Sequence, residues 1–239
     1  MIEVVESKAI EFLRKLPTTS VDLIYIDPPF NTGKRQKTDF DAGYMDKYVD
    51  YESFLKPHLI EAHRVLSDTG SILVHCDWHE SHYIKVWLDG IFGRSNFRNE
   101  IIYYSEIGNA EKLNWAKKYT NILWYSKSKV YTFNTDKVPT IPRKSPKPGY
   151  PETKKWTNVW NYNFSTTHPE RVPYPNQKPL AILDPLVLVH SNKEDVLLDF
   201  FAGSGSFGVA AVRHSRNIIL VDNNPEAMRL IRQRLEMTV

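Results

Sequence analysis

Between Val196 and Gly208 the chain reads as strand, glycine turn and helix start. Val196-Leu197-Leu198-Asp199-Phe200 is a short, mostly apolar run, and Gly203, Gly205 and Gly208 follow it at the spacing G-x-G-x-x-G. Such a run suits a strand buried on both faces. Glycines directly after it let backbone amides approach a nucleotide-like ligand. The next apolar run, Ile218 to Val221, is followed by Asp222, 17 residues after Gly205. An acid there can accept hydrogen bonds from ribose hydroxyls. The pattern supports an adenosine-containing cofactor. Chain order argues against NAD, because a nicotinamide domain usually opens with this turn and builds its sheet afterwards. Here only 31 residues follow Gly208, so most of the sheet must precede the turn.

The upstream residues provide it. Ile2–Val5 is a short apolar run, Ala9–Leu16 has helical spacing, and Val21–Ile26 reads as a buried strand. Residues 30–46 are polar and predict a long loop. Phe54 to Leu66 predicts a helix, with Pro57 near its start or kinking it. Asp68-Thr69-Gly70 predicts a turn, Ser71–His75 a strand and His79–Ile91 a helix. Glu100–Tyr104 and Ile122–Tyr125 predict an antiparallel hairpin with a long loop, forming one edge of the sheet. Residues 139–151 hold five prolines with Arg143, Lys144 and Lys147, and predict an irregular exposed segment. Leu180–His190, interrupted by Pro185, and Pro225–Leu235 predict helices. Alternating strands and helices imply an α/β fold with a doubly wound, mostly parallel sheet and an antiparallel edge hairpin. At 239 residues the chain fits a single catalytic domain, 1–239.

The strongest chemical signal is Tyr25-Ile26-Asp27-Pro28-Pro29-Phe30-Asn31. Proline cannot continue a central strand, so Asp27 falls at a strand's carboxyl end, where ligands bind in such sheets. The amine of a nucleobase is a poor nucleophile, because its lone pair is delocalised into the ring. Acceptors on its two protons favour a pyramidal nitrogen whose lone pair can point at a methyl donor. Asp27 can supply one acceptor and the Pro28 carbonyl another. Pro28 and Pro29 fix the backbone direction and carry no competing N–H. Phe30 can stack on a base swung out of a duplex.

Charge is unevenly distributed. The whole chain is +3, but residues 111–178 carry 13 Lys and Arg against four acids, which leaves −6 on the rest. A concentrated positive segment suits a polyanion, although a solvated surface loop would read the same way. Cys76 is the only cysteine, so no intrachain disulfide is expected. The start of the chain lacks a signal-peptide pattern and no stretch approaches a membrane span, so a soluble cytoplasmic protein without a membrane partner is expected.

These motifs together resemble the beta class of DNA amino-methyltransferases, in which the catalytic motif precedes the cofactor motif. Asp27-Pro28-Pro29-Phe30 is similar to the family's Asp-Pro-Pro-aromatic element, Phe201-Ala202-Gly203-Ser204-Gly205 to its cofactor loop, and Pro175-Asn176-Gln177-Lys178-Pro179-Leu180 to the segment before that loop. The likeness runs from about residue 7 to 225. It implies a Rossmann-like methyltransferase that moves a methyl group from S-adenosyl-L-methionine to adenine N6 of DNA. Asp27, Pro28, Pro29 and Phe30 would hold the flipped base. Phe201, Ala202, Gly203, Ser204, Gly205, Asp222, Asn223, Gln177, Lys178 and Pro179 would hold the cofactor. Aspartate rather than serine at position 27 leans toward adenine over cytosine. The resemblance makes residues 128–170 a short inserted target-recognition segment on double-stranded DNA; Arg143, Lys144 and Lys147, clustered in the Pro-rich stretch, with Lys154 and Lys155, are the expected phosphate contacts. Its shortness points to a homodimer or to a companion restriction or specificity subunit. Three departures stand out: Lys8 where an acid is common, Phe200 in place of proline, and Ser206-Phe207 in place of Thr-Thr. Cytosine-N4 or RNA modification, and a DNA-binding protein without catalysis, are the alternatives.

Two clusters stay outside this assignment. His75, Cys76, Asp77, His79 and His82 straddle a strand-to-helix boundary, and His79-Glu80-Ser81-His82 is one residue short of the zinc-protease helix motif, so no metal is expected. Trp115, Tyr119, Trp124, Tyr131, Trp156, Trp160 and Tyr162 accompany the basic segment, either as core or as residues that stack on bases or fill the gap a flipped base leaves.

Overall fold

A computed structural model describes residues 1–36, 44–107, 112–145 and 148–238. The strands are β1 (Ile2–Glu6), β2 (Val21–Ile26), β3 (Lys34–Gln36), β4 (Tyr44–Asp46), β5 (Leu66–Cys76), β6 (Phe97–Tyr104), β7 (Tyr119–Ser126), β8 (Thr140–Pro142), β9 (Thr153–Lys155), β10 (Val159–Asn161), β11 (Val196–Asp199) and β12 (Asn217–Asp222). The helices are α1 (Ala9–Leu13), α2 (Tyr51–Val65), α3 (Ser81–Phe92), α4 (Leu180–His190), α5 (Ser206–Arg213) and α6 (Pro225–Glu236). Eight strands form one sheet in the order β1-β12-β11-β2-β5-β7-β6-β10. β7 runs antiparallel to β5 and β6, and every other neighbouring pair is parallel. The sheet is therefore doubly wound with one reversed strand.

The central strands are apolar throughout because both faces are covered. Leu23, Ile24, Ile26, Leu197 and Leu198 have no exposed surface, and a fully buried aliphatic side chain of this kind stabilises by about 1.5–3 kcal/mol. One core lies between the sheet and α1–α3, centred on Leu55, Leu59, Ile72 and Ile84. The other lies under α4–α6, centred on Leu183, Leu186, Phe207 and Ile231. Helix starts are chemically marked. The Asp50 side chain accepts from Ser53 N (2.9 Å) before α2, and Asn224 Oδ1 accepts from Glu226 N (2.9 Å) before α6, with Pro225 in its first turn. Among the described residues no helix is long and apolar enough to cross a membrane.

The structure corrects several local readings. Residues 30–46 are not all loop, since β3 and β4 pair there; each has three residues, too few for a period-two signal. The expected turn at 68–70 lies inside β5. Between the pairs Val21–Leu66 and Leu23–Ser71, β5 spends five residues against two, and the turn-forming residues are absorbed as a bulge. Pro57 is interior to α2, as Pro185 is to α4. Each removes one backbone bond, and the surrounding buried face offsets that loss. The β6–β7 hairpin is not the sheet's edge, because three-residue β10 adds beyond it through Val159–Ile102 to Asn161–Tyr104. Within the Pro-rich stretch, β8 and β9 form an exposed hairpin with Thr140 opposite Lys155.

Candidate active site

In a parallel sheet the strand ends gather at one edge, and three adjacent strands here end in aspartates. Asp27 follows β2, Asp199 closes β11 and Asp222 closes β12. Neighbouring strands lie about 4.8 Å apart, so these carboxylates form a row. All three line a cavity of about 560 Å³ shared with the glycine turn and the Asp27–Phe30 element. That volume lies within the roughly 300–1,000 Å³ typical of small-molecule sites.

The Asp27 loop is fixed from three sides. Asn31 adopts φ +56°, a left-handed conformation that asparagine tolerates. The buried Asp46 carboxylate accepts from Asn31 N (2.9 Å), Thr32 N (3.1 Å) and Thr32 Oγ1 (2.7 Å). Glu80, from the segment after β5, accepts from Asn31 Nδ2 (2.7 Å), and Tyr51 Oη donates to the Pro29 carbonyl (2.5 Å). Asp27 Oδ2 is ion-paired with Lys178 Nζ. Asp27 Oδ1 is buried and has no hydrogen-bond partner among the described residues. Burial raises the Asp27 carboxyl above the usual carboxylate range, and the Lys178 ammonium partly reverses the shift.

Behind Phe30 lies a buried polar chain. Tyr25 Oη meets His75 Nδ1 at 2.8 Å, and His75 Nε2 meets Thr120 Oγ1 at 2.7 Å. Burial pushes the His75 pKa well below its ordinary value, so the ring is neutral at pH 7. Tyr25 stacks on Phe207 with ring centroids 5.0 Å apart, and the residue that departs from the family's Thr-Thr is thus part of the cavity wall. Lys8 also lines the cavity, with most of its side chain exposed and Glu11 beside it.

On the glycine-turn side, Gly203 N donates to Asp222 Oδ2 (2.8 Å) and Asn224 N to Asp222 Oδ1 (2.9 Å). Burial raises the Asp222 pKa, and these backbone bonds oppose the rise. Phe201, Ala202, Gly203, Ser204 and Asn223 line the cavity. Phe201 stands 5.4 Å from the His58 ring and 6.0 Å from Phe54, which extends an apolar wall from α2. Gly205 lies behind the wall: its φ is +72°, and a Cβ there would come within 2.8 Å of Ile231 in α6. Its part is to bring the turn close to that helix.

The remaining expected contacts fall elsewhere. Gln177 does not line the cavity; its side chain accepts from Val172 N (2.8 Å) and donates to the Glu170 carbonyl (2.9 Å), which closes the loop before α4. Pro179 caps the start of α4, outside the cavity lining. The structure does not bring the basic residues to the cavity either. Arg143 Nε donates to the Pro151 carbonyl (2.9 Å), Lys155 reaches Thr135 Oγ1, and Lys144 and Lys154 are exposed. They sit on the β8–β9 hairpin, a sheet of its own, where Lys155 meets Thr135 next to Asn134, whose side chain bonds the Leu188 and Ser191 carbonyls at the end of α4 remote from Lys178. Lys147 lies outside the described residues. The His75–His82 group disperses: His75 and Cys76 are buried, and His79 turns onto Asp77 (2.8 Å).

Sequence reasoning missed Asp199 and Tyr174. Asp199 is almost wholly buried, accepts from Phe201 N (3.0 Å), and is pushed well above its ordinary pKa, first by burial and then by the charges of Asp27 and Asp222. A charge closing the apolar run Val196-Leu197-Leu198 was the available signal. Tyr174 packs so near Gly203 that a Cβ there would lie 3.2 Å from its ring. Nothing in its local sequence marks it, because the contact forms only when two distant loops meet.

The chain matches the family model described as DNA methylase over residues 21–233. It is 32% identical to the Type II methyltransferase M.HpaI of Haemophilus parainfluenzae, across 96% of this chain and 73% of that one. It is 30% identical to the DNA adenine methyltransferase YhdJ of Escherichia coli (strain K12), across 98% and 82%. Among solved structures, the M1.HpyAVI–SAM complex superposes with a TM-score of 0.69 at 21% identity, covering 98% of this chain and 99% of that one. The cytosine-N4-specific PvuII DNA methyltransferase superposes with a TM-score of 0.73 at 16% identity, covering 98% and 87%. These two likenesses establish the fold. The family match spans most of the chain, including the Asp27 and glycine-turn motifs, and the chain belongs to the DNA methylase family.

Proposed function

We propose that the protein transfers a methyl group from S-adenosylmethionine to the exocyclic N6 amino group of an adenine flipped out of duplex DNA. The observation that carries this is Asp27 Oδ1, a buried acceptor without a partner on a residue that lines the same cavity as the glycine turn. Asp27 accepts one amine proton and the Pro28 carbonyl the other, which directs the nitrogen lone pair. Phe30 stacks on the base, backed by the Tyr25–His75–Thr120 chain. The cavity's charge suits the donor. Three carboxylates line the cavity, and Lys178 is the cation that acts on Asp27 and Asp199, so a sulfonium relieves their mutual repulsion. When bound, the cofactor supplies a methyl group already activated for transfer. The protein contributes orientation and proximity, worth up to about 7–11 kcal/mol in well-positioned reactions. The glycine turn with Asp222, Asn223 and Phe201 holds the nucleoside end. Adenine is favoured by aspartate at position 27 and by the adenine-specific relative at 30% identity.

Incubating the protein with DNA and methyl-labelled cofactor, followed by digestion to nucleosides, tests the assignment. Label is expected on N6-methyladenine. Label on N4-methylcytosine, or on RNA alone, would replace the substrate, and cofactor binding without any transfer would leave a binding protein.

Residues 128–170 form the target-recognition segment in this reading, with the β8–β9 hairpin on phosphates of the bound duplex. Lys144→Ala and Lys154→Ala are expected to weaken DNA binding equally for all sequences. Each should lower the magnitude of the negative slope of log K against log salt by about 1, measured by fluorescence anisotropy at several salt concentrations. An unchanged slope removes the hairpin from the DNA interface. A homodimer, or a companion restriction or specificity subunit, would add the contacts that so short a segment lacks, and sedimentation with and without DNA distinguishes them. With a single, buried cysteine, the protein is suited to the cytoplasm.

A further inference from the structure

The loop from β6 to β7 opens at the same edge of the sheet as Asp27, because β6 runs parallel to β2 and β5. Its part from 112 to 118 carries apolar side chains that cover nothing. Leu113 is 100% exposed and Trp115 91% exposed. The other tryptophans of the basic segment behave differently: Trp124 is buried against β5, and Trp156 and Trp160 pack on each other with centroids 5.5 Å apart. Lys112, Lys117 and Lys118 flank the two exposed residues. The loop is tied through Trp78 to the segment that holds the Asp27 loop. Lys117 Nζ lies 4.8 Å above the Trp78 ring, which stacks on His79 at 3.7 Å. Trp78 in turn sits between Asp77, at the end of β5, and Glu80, which holds Asn31 of the catalytic loop. Tyr103, near the end of β6, packs 6.2 Å from His75, and His75 lies 6.4 Å from Phe30.

We propose that residues 112–118 form a wedge that enters the duplex and fills the gap left by the flipped base, with Leu113 and Trp115 as the intruding side chains. The physical reason is the cost of extrusion. Unstacking and unpairing a base costs a few kcal/mol, and an apolar side chain placed in the gap restores part of the stacking. Lysines on either side match the phosphates such a loop must pass between. The wedge rests on the methylase reading above and goes beyond it by assigning the residues that open the helix.

The target site, mapped by sequencing methylated plasmid DNA, is placed in two synthetic duplexes: one fully paired, one with an abasic site opposite the target base. The Leu113→Ala/Trp115→Ala protein is expected to lose at least about tenfold in kcat/KM on the paired duplex. On the abasic duplex, where the base is already unpaired, it should stay within about threefold of wild type. Its Tm and its affinity for S-adenosylmethionine should not change, since neither side chain packs on the body. Equal loss on both duplexes, or no loss on either, overturns the wedge. So does a change in sedimentation without DNA, which would make the loop a contact between copies of the chain. Absence of transfer by the wild-type protein on both duplexes sinks the methylase reading and the wedge with it. Normal wild-type transfer with unaffected variants sinks the wedge alone.

Discussion

Replacing Asp27 by alanine is expected to lower methyl transfer by about 10³-fold while S-adenosylmethionine affinity stays within a few-fold of wild type. The asymmetry follows from position. The glycine turn and Asp222 lie on β11, β12 and the turns after them, and they keep their hydrogen bonds when Asp27 is removed. What disappears is the buried Oδ1 acceptor and the partner of Lys178. Asp27→Asn retains the shape and one carbonyl, but it directs an amide N–H at either Lys178 or the substrate amine, both of them donors. An intermediate loss of about 10²-fold is expected for it. The acid limb of kcat/KM gives a second readout. Asp27 must be ionised to accept, so activity is present above its pKa and is lost as pH falls through it. Burial has raised that pKa and Lys178 has lowered it. Lys178→Met therefore moves the acid limb to higher pH. A limb that moves to lower pH, or turnover retained in Asp27→Ala with bound cofactor, contradicts the assigned role.

The parts of this molecule that could be read from sequence are those whose signal is local. β2, β11 and α4 declare themselves by apolar runs long enough to exclude solvent-facing alternatives, and the two motifs follow strands whose carboxyl ends must share an edge. Elements set by distant pairing were hidden. β10 is three residues held by β6, and β3 and β4 are equally short. Gln177 sits within a cofactor-like segment, yet its amide is spent on the loop from Glu170 to Val172. The basic hairpin read correctly as exposed, but its separation from the cavity depends on contacts between distant segments, such as Lys155 with Thr135, which charge does not encode. Trp115 and Trp124 look alike in sequence, and only burial separates the solvent-facing one from the packed one.

Asp222 unites the two sides of that comparison, because sequence and structure give it different partners. Its position after β12 suits ribose hydroxyls, whereas the structure shows its two oxygens accepting from Gly203 N and Asn224 N. The roles are compatible, since each carboxylate oxygen has two lone pairs. Asp222→Ala then removes two bonds that shape the glycine turn, each of a kind worth about 1.5–3 kcal/mol when the acceptor is charged. Part of that is recovered by relaxation, and Kd for S-adenosylmethionine, measured by calorimetry, is expected to rise about 100-fold. At saturating cofactor kcat should fall little, because Asp27 and Phe30 stand on a different strand. Asp222→Asn keeps one acceptor and should lie between the two. A 2′-deoxyribose analogue of the cofactor separates ribose binding from loop shaping. If Asp222 holds the ribose, wild type prefers the natural cofactor and Asp222→Ala loses that preference. If it shapes only the turn, the variant weakens both ligands by the same factor. A Kd within threefold of wild type would mean that the turn keeps its form without the carboxylate and that Asp222 does not hold the ribose.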